Sequence, residues 1–166
     1  MGLRNFFNVI LYVKLSPDTI TVRDVYAGYE IVEQPLVAIM RESKNKIVGI
    51  GNEATLMAAG HTVDFFNPFK HPRALLSDFT TAEILMKYCV TKVLRNYHMW
   101  MLRPAPIIVL HPMIDPEGGF TQIEVRAMRE LAVGAGGRKI FIWQGRELDN
   151  GELAALKFES GGTILN

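Results

Sequence analysis

The sequence is poor in several features, and each shortage excludes something. One cysteine, Cys89, among 166 residues has no partner for an internal disulfide, which suits a reducing compartment. Charge of one sign is missing too: 18 basic residues face 17 acidic ones, a net charge of +1. A nucleic-acid partner needs a basic face, and this balance supplies none. No apolar run approaches the roughly 20 residues of a membrane-spanning helix. The stretch from Met1 to Val13 carries Arg4 and a short apolar run, but no small-residue cleavage site follows, so it does not read as a signal peptide. Internal repeats and low-complexity segments are absent. Hydrophobic residues at 49% and charged residues at 21% give a globular balance, and a chain this long can bury a core without staples. The expectation is a single domain over residues 1–166, soluble and cytoplasmic, with no membrane span.

What is present is a succession of short apolar runs and capped helices. Phe7 to Leu15 is apolar and β-branched and predicts a strand. Ser16-Pro17-Asp18 is turn chemistry. The alternation from Thr19 to Val25 predicts a second strand, antiparallel to the first through that tight turn. Ala27-Gly28 turns the chain before a third strand, Tyr29 to Glu33. Apolar runs follow at Pro35 to Met40 and Lys46 to Ile50, with Asn45 turning between them. Glu53 to Ala59 is helix-compatible and stopped by Gly60. Two prolines make Phe65 to Pro72 read as a loop.

The helix signals then strengthen. Thr80-Thr81-Ala82-Glu83 has the form of a capping box. Leu85, Tyr88, Cys89, Val93 and Tyr97 share one face of the helix it opens; Lys87, Lys92, Arg95 and Asn96 share the other. Pro104 and Pro106 close that segment, and Ile107 to Leu110 reads as a buried strand. Thr121-Gln122-Ile123-Glu124 is a second capping box, with Ile123, Ala127 and Leu131 spaced by four along its helix and Gly134, Gly136 and Gly137 ending it. Ile140 to Trp143 is a last short strand, Arg146 to Phe158 is helix-compatible, and the tail is rich in glycine. A three-strand meander, an excursion, then helix, strand, helix and strand make an α/β sheet of mixed direction.

Several segments resemble the MreB family of bacterial actins, the rod-shape-determining proteins. Glu33-Gln34-Pro35-Leu36-Val37-Ala38-Ile39 is similar to its "NEPSVVAI", and Val48 to Met57 to its "AVGEEAKRM". Phe66-Asn67-Pro68-Phe69-Lys70 stands where the family has "IRPLK", and Leu76 to Phe79 where it has "IADF". Leu102-Arg103-Pro104 with Ile107 to Leu110 resembles "LRPRVVICVP", and Phe120 to Glu130 resembles "ITEVERRAVRD". The matches run in order from about Phe6 to Arg146. The resemblance implies an actin-like ATPase, ribonuclease-H-like α/β subdomain. It would have a mixed five-stranded sheet and a small inserted α/β lobe at about Pro35 to Leu75. The family's second half, with the other phosphate loop and the rest of the nucleotide cleft, would lie beyond the end of this sequence.

The departures from the family bear on function. In these actins a strand ends in an aspartate, and a Gly-Thr turn then wraps the phosphates and metal ion. Here Lys14 stands at the aspartate position, where a cation would repel Mg²⁺. Ser16-Pro17 replaces the Gly-Thr turn; proline offers no N–H to a phosphate, and serine lacks glycine's tolerance of close backbone approach. Trp143-Gln144-Gly145 stands where the family has "EEP". Glu124 alone matches, at the glutamate that positions the attacking water. With these departures the resemblance implies no catalytic, cofactor-binding or metal-binding residues and no cofactor.

Each remaining candidate has a plain reading. Glu124 is also the carboxylate of its own capping box. Lys14 reads as a solvated strand-end lysine or as a point charge for a phosphate. His61, His71, His98 and His111 lack the spacing of metal ligands. Cys89 lies on an apolar helix face and reads as buried and inert. Gly49-Ile50-Gly51-Asn52 is a strand-to-helix turn, and Asp115-Pro116-Glu117-Gly118-Gly119 a flexible insertion. Met99-Trp100-Met101-Leu102 is core, or an exposed patch for a partner. Trp143 is expected to stay apolar and in need of cover, with Gln144, Arg146, Glu147, Asp149 and Asn150 repolarising the surface after it. The expected function is a non-enzymatic half-actin, a pseudo-ATPase that binds or assembles with the bacterial cytoskeleton and bears on cell shape. Its partner would be itself, as a homodimer, or an actin-like filament protein. The alternative is an ATPase half-site completed by a second chain, for which Glu124 speaks.

Overall fold

β1 (Ile10–Leu15) lies at the centre of the molecule, hydrogen-bonded on both edges and buried on both faces. The fold is described for residues 9–41, 46–57, 62–70, 76–95, 97, 105–158 and 160–166 of a computed structural model. A tight turn brings β2 (Ile20–Asp24) back antiparallel, with Leu15 opposite Ile20 and Lys14 opposite Thr21. β3 (Glu30–Glu33) continues the meander. On the other edge of β1 runs β7 (Ile107–Pro112), parallel, with Lys14 opposite His111. β8 (Lys139–Gly145) is parallel to β7, and β9 (Gly162–Leu165) closes the sheet antiparallel to β8. The order is β3-β2-β1-β7-β8-β9.

Parallel neighbours need crossover connections, and long helices supply them. α2 (Phe79–Leu94) precedes β7, and α3 (Gln122–Gly134) joins β7 to β8. Both cover one face, where Leu11, Val13 and Leu15 of β1 meet Leu85, Cys89 and Val93 of α2 and Met128 and Leu131 of α3. Strand side chains alternate, so Ile10 and Tyr12 point the other way, toward Ile107, Val109 and Trp143. Leu148, Phe158 and Leu153 of α4 (Asn150–Ala155) cover them. Each fully buried large side chain contributes about 1.5–3 kcal/mol.

A second sheet stands between β3 and α2 in the chain. β4 (Val37–Met40) is flanked by β5 (Lys46–Ile50) and β6 (Val63–Phe66). α1 (Glu53–Met57) packs on β5. Gly49 permits that approach, because a Cβ there would lie 2.7 Å from the Cα of Ala54.

The five expected strands of the large sheet are present, and the differences have local causes. The glycine-rich tail supplies a sixth strand, β9. It lies so close to β8 that a Cβ on Gly162 would sit 2.3 Å from the Gln144 carbonyl oxygen. β6 takes Phe65 and Phe66 out of the expected loop, which turns only at Asn67-Pro68. The cap of α2 is Asp78, not Thr80: its Oδ1 accepts the Thr81 N–H at 2.7 Å. A carboxylate two residues earlier makes the stronger cap, and Thr80 falls inside the helix, exposed. The Thr121–Glu124 capping box of α3 forms as expected. Its buried stripe, however, is Val125, Met128, Leu131 and Ala132, and Ile123 is 82% exposed. A strict spacing of four drifts by about 40° per step around a 3.6-residue helix. Leu131 is already at the edge of the buried stripe, and two steps carry Ile123 about 80° beyond that edge, onto the solvent side. Within Arg146 to Phe158 only Asn150–Ala155 is helical, closed by Leu156 in the left-handed region at φ 51°. Asn45, Gly60, Pro104 and Met99 to Leu102 lie outside the described residues.

Asp78→Ala should lower unfolding free energy by about 1 kcal/mol, while Thr80→Ala should stay within about 0.5 kcal/mol of the parent. Urea denaturation of the two variants distinguishes the two cap assignments.

Candidate functional site

β1, β7 and β8 run in one direction, so their carboxyl ends emerge on one edge of the sheet. Open α/β sheets bind ligands there. A cleft of about 420 Å³ opens at this edge between Pro112–Asp115 after β7, Gln144–Arg146 at the end of β8, and Gly161. Asp115 closes one side by accepting the Gln144 side-chain N–H at 2.8 Å. The insertion it begins is turned by a Gly119 N–H bond to the Pro116 carbonyl.

The β1–β2 turn sits at the same edge, and Ser16 organises it from within. Ser16 Oγ accepts the N–H groups of Asp18 and Thr19 at 3.3 and 2.9 Å. The Ser16 N–H donates to the Thr19 carbonyl at 2.9 Å, and Pro17 has no N–H. Every backbone donor from Ser16 to Thr19 is thus engaged inside the turn, and a phosphate laid on it would compete with each bond. The Pro17 carbonyl accepts the Asn67 side chain at 2.7 Å.

Lys14, at the end of β1, is not fully solvated, and it already has an acidic partner. It is 24% exposed, and its ammonium lies 3.2 Å from Glu147, which follows β8. Arg146, Glu147, Asp149 and Asn150, expected to make the surface after Trp143 polar, are exposed, and most of this group also ties the loop down. Gln144 bonds Asp115 and Glu147 pairs with Lys14. Arg146 grips both carboxylate oxygens of Glu152 at 2.9 and 2.5 Å. Asp149 and Glu152 form the capping box of α4. Trp143, expected to need a partner's cover, is fully buried by the chain itself. The Phe158 ring lies tilted against it at 5.6 Å, and the Trp143 indole N–H donates to the Arg146 carbonyl at 2.8 Å. The segment after β8 folds back over the sheet, and its Leu148, Leu153 and Phe158 supply that cover.

Sequence reasoning missed the buried polar chain beneath the cleft. His111, 2% exposed, stands at the end of β7. Its Nε2 lies 3.0 Å from the Gly145 carbonyl, an acceptor only, so Nε2 carries the proton. Nδ1 then accepts from the Tyr12 hydroxyl at 2.6 Å, and that oxygen accepts the Leu148 N–H at 3.2 Å. The Arg23 guanidinium lies over the Tyr12 ring. One line of bonds therefore joins β1, β7, the end of β8 and the loop before α4. Two polar residues in otherwise apolar strands were the available signal.

Glu124 is engaged in its cap: Oε2 accepts the Thr121 N–H at 2.9 Å and the Thr121 hydroxyl at 2.8 Å. Cys89 is buried among the α2 core residues, and burial pushes its thiol up to about 12. Gly51, at φ 66°, makes the strand-to-helix turn between β5 and α1. His61, His71 and His98 lie outside the described residues.

Burial holds the His111 imidazole below its ordinary value of 6.5. The folded chain keeps it neutral where the unfolded chain already binds a proton. Its contribution is therefore complete above pH 6.5 and is lost as pH falls from there toward the folded value. The lowered carboxyls of Asp78 and Glu152 act only below their ordinary values of 3.8 and 4.5. Urea denaturation should show stability falling between pH 7.5 and 5.5, with a shallower fall in His111→Gln. Equal slopes in the two proteins would contradict the buried neutral imidazole.

Comparison with known proteins places this geometry. The sequence profile described as MreB/Mbl protein matches residues 19–150. The cell shape-determining protein MreB of Pasteurella multocida is 29% identical over 146 residues, covering 84% of this chain and 39% of that protein. Its counterpart in Escherichia coli K12 is 30% identical over 142 residues, covering 81% and 35%. The chain thus spans little more than a third of the length of these relatives. Among solved structures, MreB5 of Spiroplasma citri bound to ADP superposes with a TM-score of 0.60 at 17% identity, over 80% of this chain and 37% of that one. The MamK double helical filament gives 0.54 at 13% identity, over 80% and 39%. The likeness to these structures is one of fold. The family match and the sequence relatives together show that the chain belongs to the MreB/Mbl family of actin-like proteins.

Proposed function

We propose that this chain is a non-enzymatic MreB-like module that binds or assembles within the bacterial cytoskeleton, on the cytoplasmic side, and acts in cell shape. The observation that carries this reading is the β1–β2 turn. Its N–H groups are engaged by Ser16 and Thr19, or removed at Pro17. A cation, Lys14, stands where the family resemblance expects a metal-linked aspartate, and it is paired with Glu147. These residues do not fit a magnesium–nucleotide complex held as in the family.

Assembly is supported by kinship. The curated relatives are named as cell shape-determining proteins, and MamK is described as a double helical filament. The partner is a second copy of this chain or an actin-like filament. Trp143 is not part of the contact surface, because the chain's own tail covers it. The rival reading, an ATPase half-site completed by a second chain, draws on Glu124, whose Oε2 is held by Thr121.

Purified chain should release no phosphate from ATP above a buffer blank, with or without Mg²⁺, and should pellet with an MreB-type filament or grow in scattering mass with concentration. Mg²⁺-dependent phosphate release would overturn the non-enzymatic half. A strict monomer that stays in the supernatant would overturn the assembly half.

A further inference from the structure

The polypeptide crosses between the two sheets twice, and polar side chains bracket each crossing. At the first, Glu33 ends β3 with its carboxylate 3% exposed. Oε1 accepts the Lys92 ammonium of α2 at 2.9 Å, and Oε2 accepts the Asn52 N–H at 2.7 Å. Asn52 reaches back: Oδ1 accepts the Gln34 N–H at 2.9 Å, and Nδ2 donates to the Val32 carbonyl at 2.8 Å. The Gly51 N–H donates to the Leu36 carbonyl at 2.8 Å. Only glycine serves at position 51, where φ is 66° and a Cβ would fall 2.3 Å from Glu33 Oε2. Lys92 lies 3.5 Å from Glu53 as well, so the start of α1 is drawn to α2.

At the second crossing Asn67 follows β6. Its Nδ2 donates to the Pro17 carbonyl in the β1–β2 turn at 2.7 Å, and its Oδ1 accepts the Phe69 N–H at 2.9 Å. Phe69 is 1% exposed in the core beneath α2 and α3. The Ser77 N–H, just before the Asp78 cap, donates to the Pro68 carbonyl at 2.7 Å.

We propose that these two brackets form a clamp that carries the β5-β4-β6 sheet in one preset orientation on the large sheet, with the Glu33–Lys92 ion pair and Asn67 as its two fastenings. A free hinge would expose its polar groups to water. Here a carboxylate is withdrawn from water and answered by a lysine and an amide from two different elements. Removing Lys92 would leave the buried carboxylate answered by the Asn52 N–H alone, at a cost in stability. The Glu33–Lys92 hydrogen bond also raises the Lys92 ammonium above its ordinary value, so the pair persists across neutral pH. The second fastening lies on the turn at Ser16–Pro17. Any group that displaced that turn would also pull on the small sheet. The clamp needs no ligand and no assembly partner, so it stands apart from the assembly reading.

Native-state hydrogen exchange on the whole chain tests it, read by mass spectrometry with Lys92→Met, Glu33→Gln and Asn67→Ala. In peptides from residues 37–41, 46–57 and 62–66, exchange should speed up roughly tenfold or more on losing the charged Glu33–Lys92 bond, and roughly threefold or more on losing the neutral Asn67 bonds. Peptides from β1, β7 and β8 should keep the parent rate. Lys92→Met combined with Asn67→Ala should exceed either alone. Unchanged exchange in the small sheet would overturn the clamp. So would a rise of equal size throughout the chain, which would make these residues ordinary members of one cooperative core.

Discussion

A strand paired along both edges and buried on both faces leaves no room for an unmatched polar atom, because each one costs about 1–3 kcal/mol. β1 is such a strand, and it carries two long polar side chains. Tyr12 is answered by His111 and by the Leu148 N–H. Lys14, at the strand's end, is answered by Glu147. Two of these partners, Glu147 and Leu148, lie in the segment that follows β8. The demands of β1 therefore fix where that segment runs, and it carries α4 onto the second face. There Leu148, Leu153 and Phe158 complete the core over Trp143.

The same demand shapes the sheet edge where a ligand would bind. The Lys14–Glu147 pair is partly exposed, and such pairs contribute only about 0–1 kcal/mol. It is not strong enough to exclude a competing anion by itself. The turn is the stronger constraint. Its donors satisfy one another through Ser16, and Asn67 holds its Pro17 carbonyl from outside. A phosphate would have to replace several bonds at once, next to a cation already matched. The Glu33–Lys92 bracket and Asn67 fix the small sheet to the body around that same turn.

Much of the fold was legible because period-two and period-3.6 apolar patterns report which faces are buried. The meander, the β7 and β8 runs and the α2 face were readable on that ground, and so was the Thr121–Glu124 cap, whose partners are three residues apart. What escaped depends on distance along the chain. Tyr12 and His111 are 99 residues apart, and Tyr12 and Leu148 are 136 apart. The parallel register of β1 and β7 brings the first pair together, and the path of the segment after β8 brings the second. Glycines hid β9, since Gly162 signals a turn locally but serves close backbone approach. Trp143 looked exposed because its cover, Phe158, lies beyond a turn that local pattern does not predict. Within the candidate site, the departure at Lys14 was visible in sequence. Its pairing with Glu147 and the closed bonding of the turn were not.

The engagement of the turn's own donors is most directly tested by following the backbone amides of Ser16, Asp18 and Thr19 by NMR while Mg²⁺ and ATP are added to millimolar concentration. The three resonances should hold their positions, with any shifts small and non-saturating. Saturable movement of these amides, with the Lys14 and Glu147 signals moving alongside, would mean that the turn opens to phosphate, and would contradict a turn whose donors are satisfied from within.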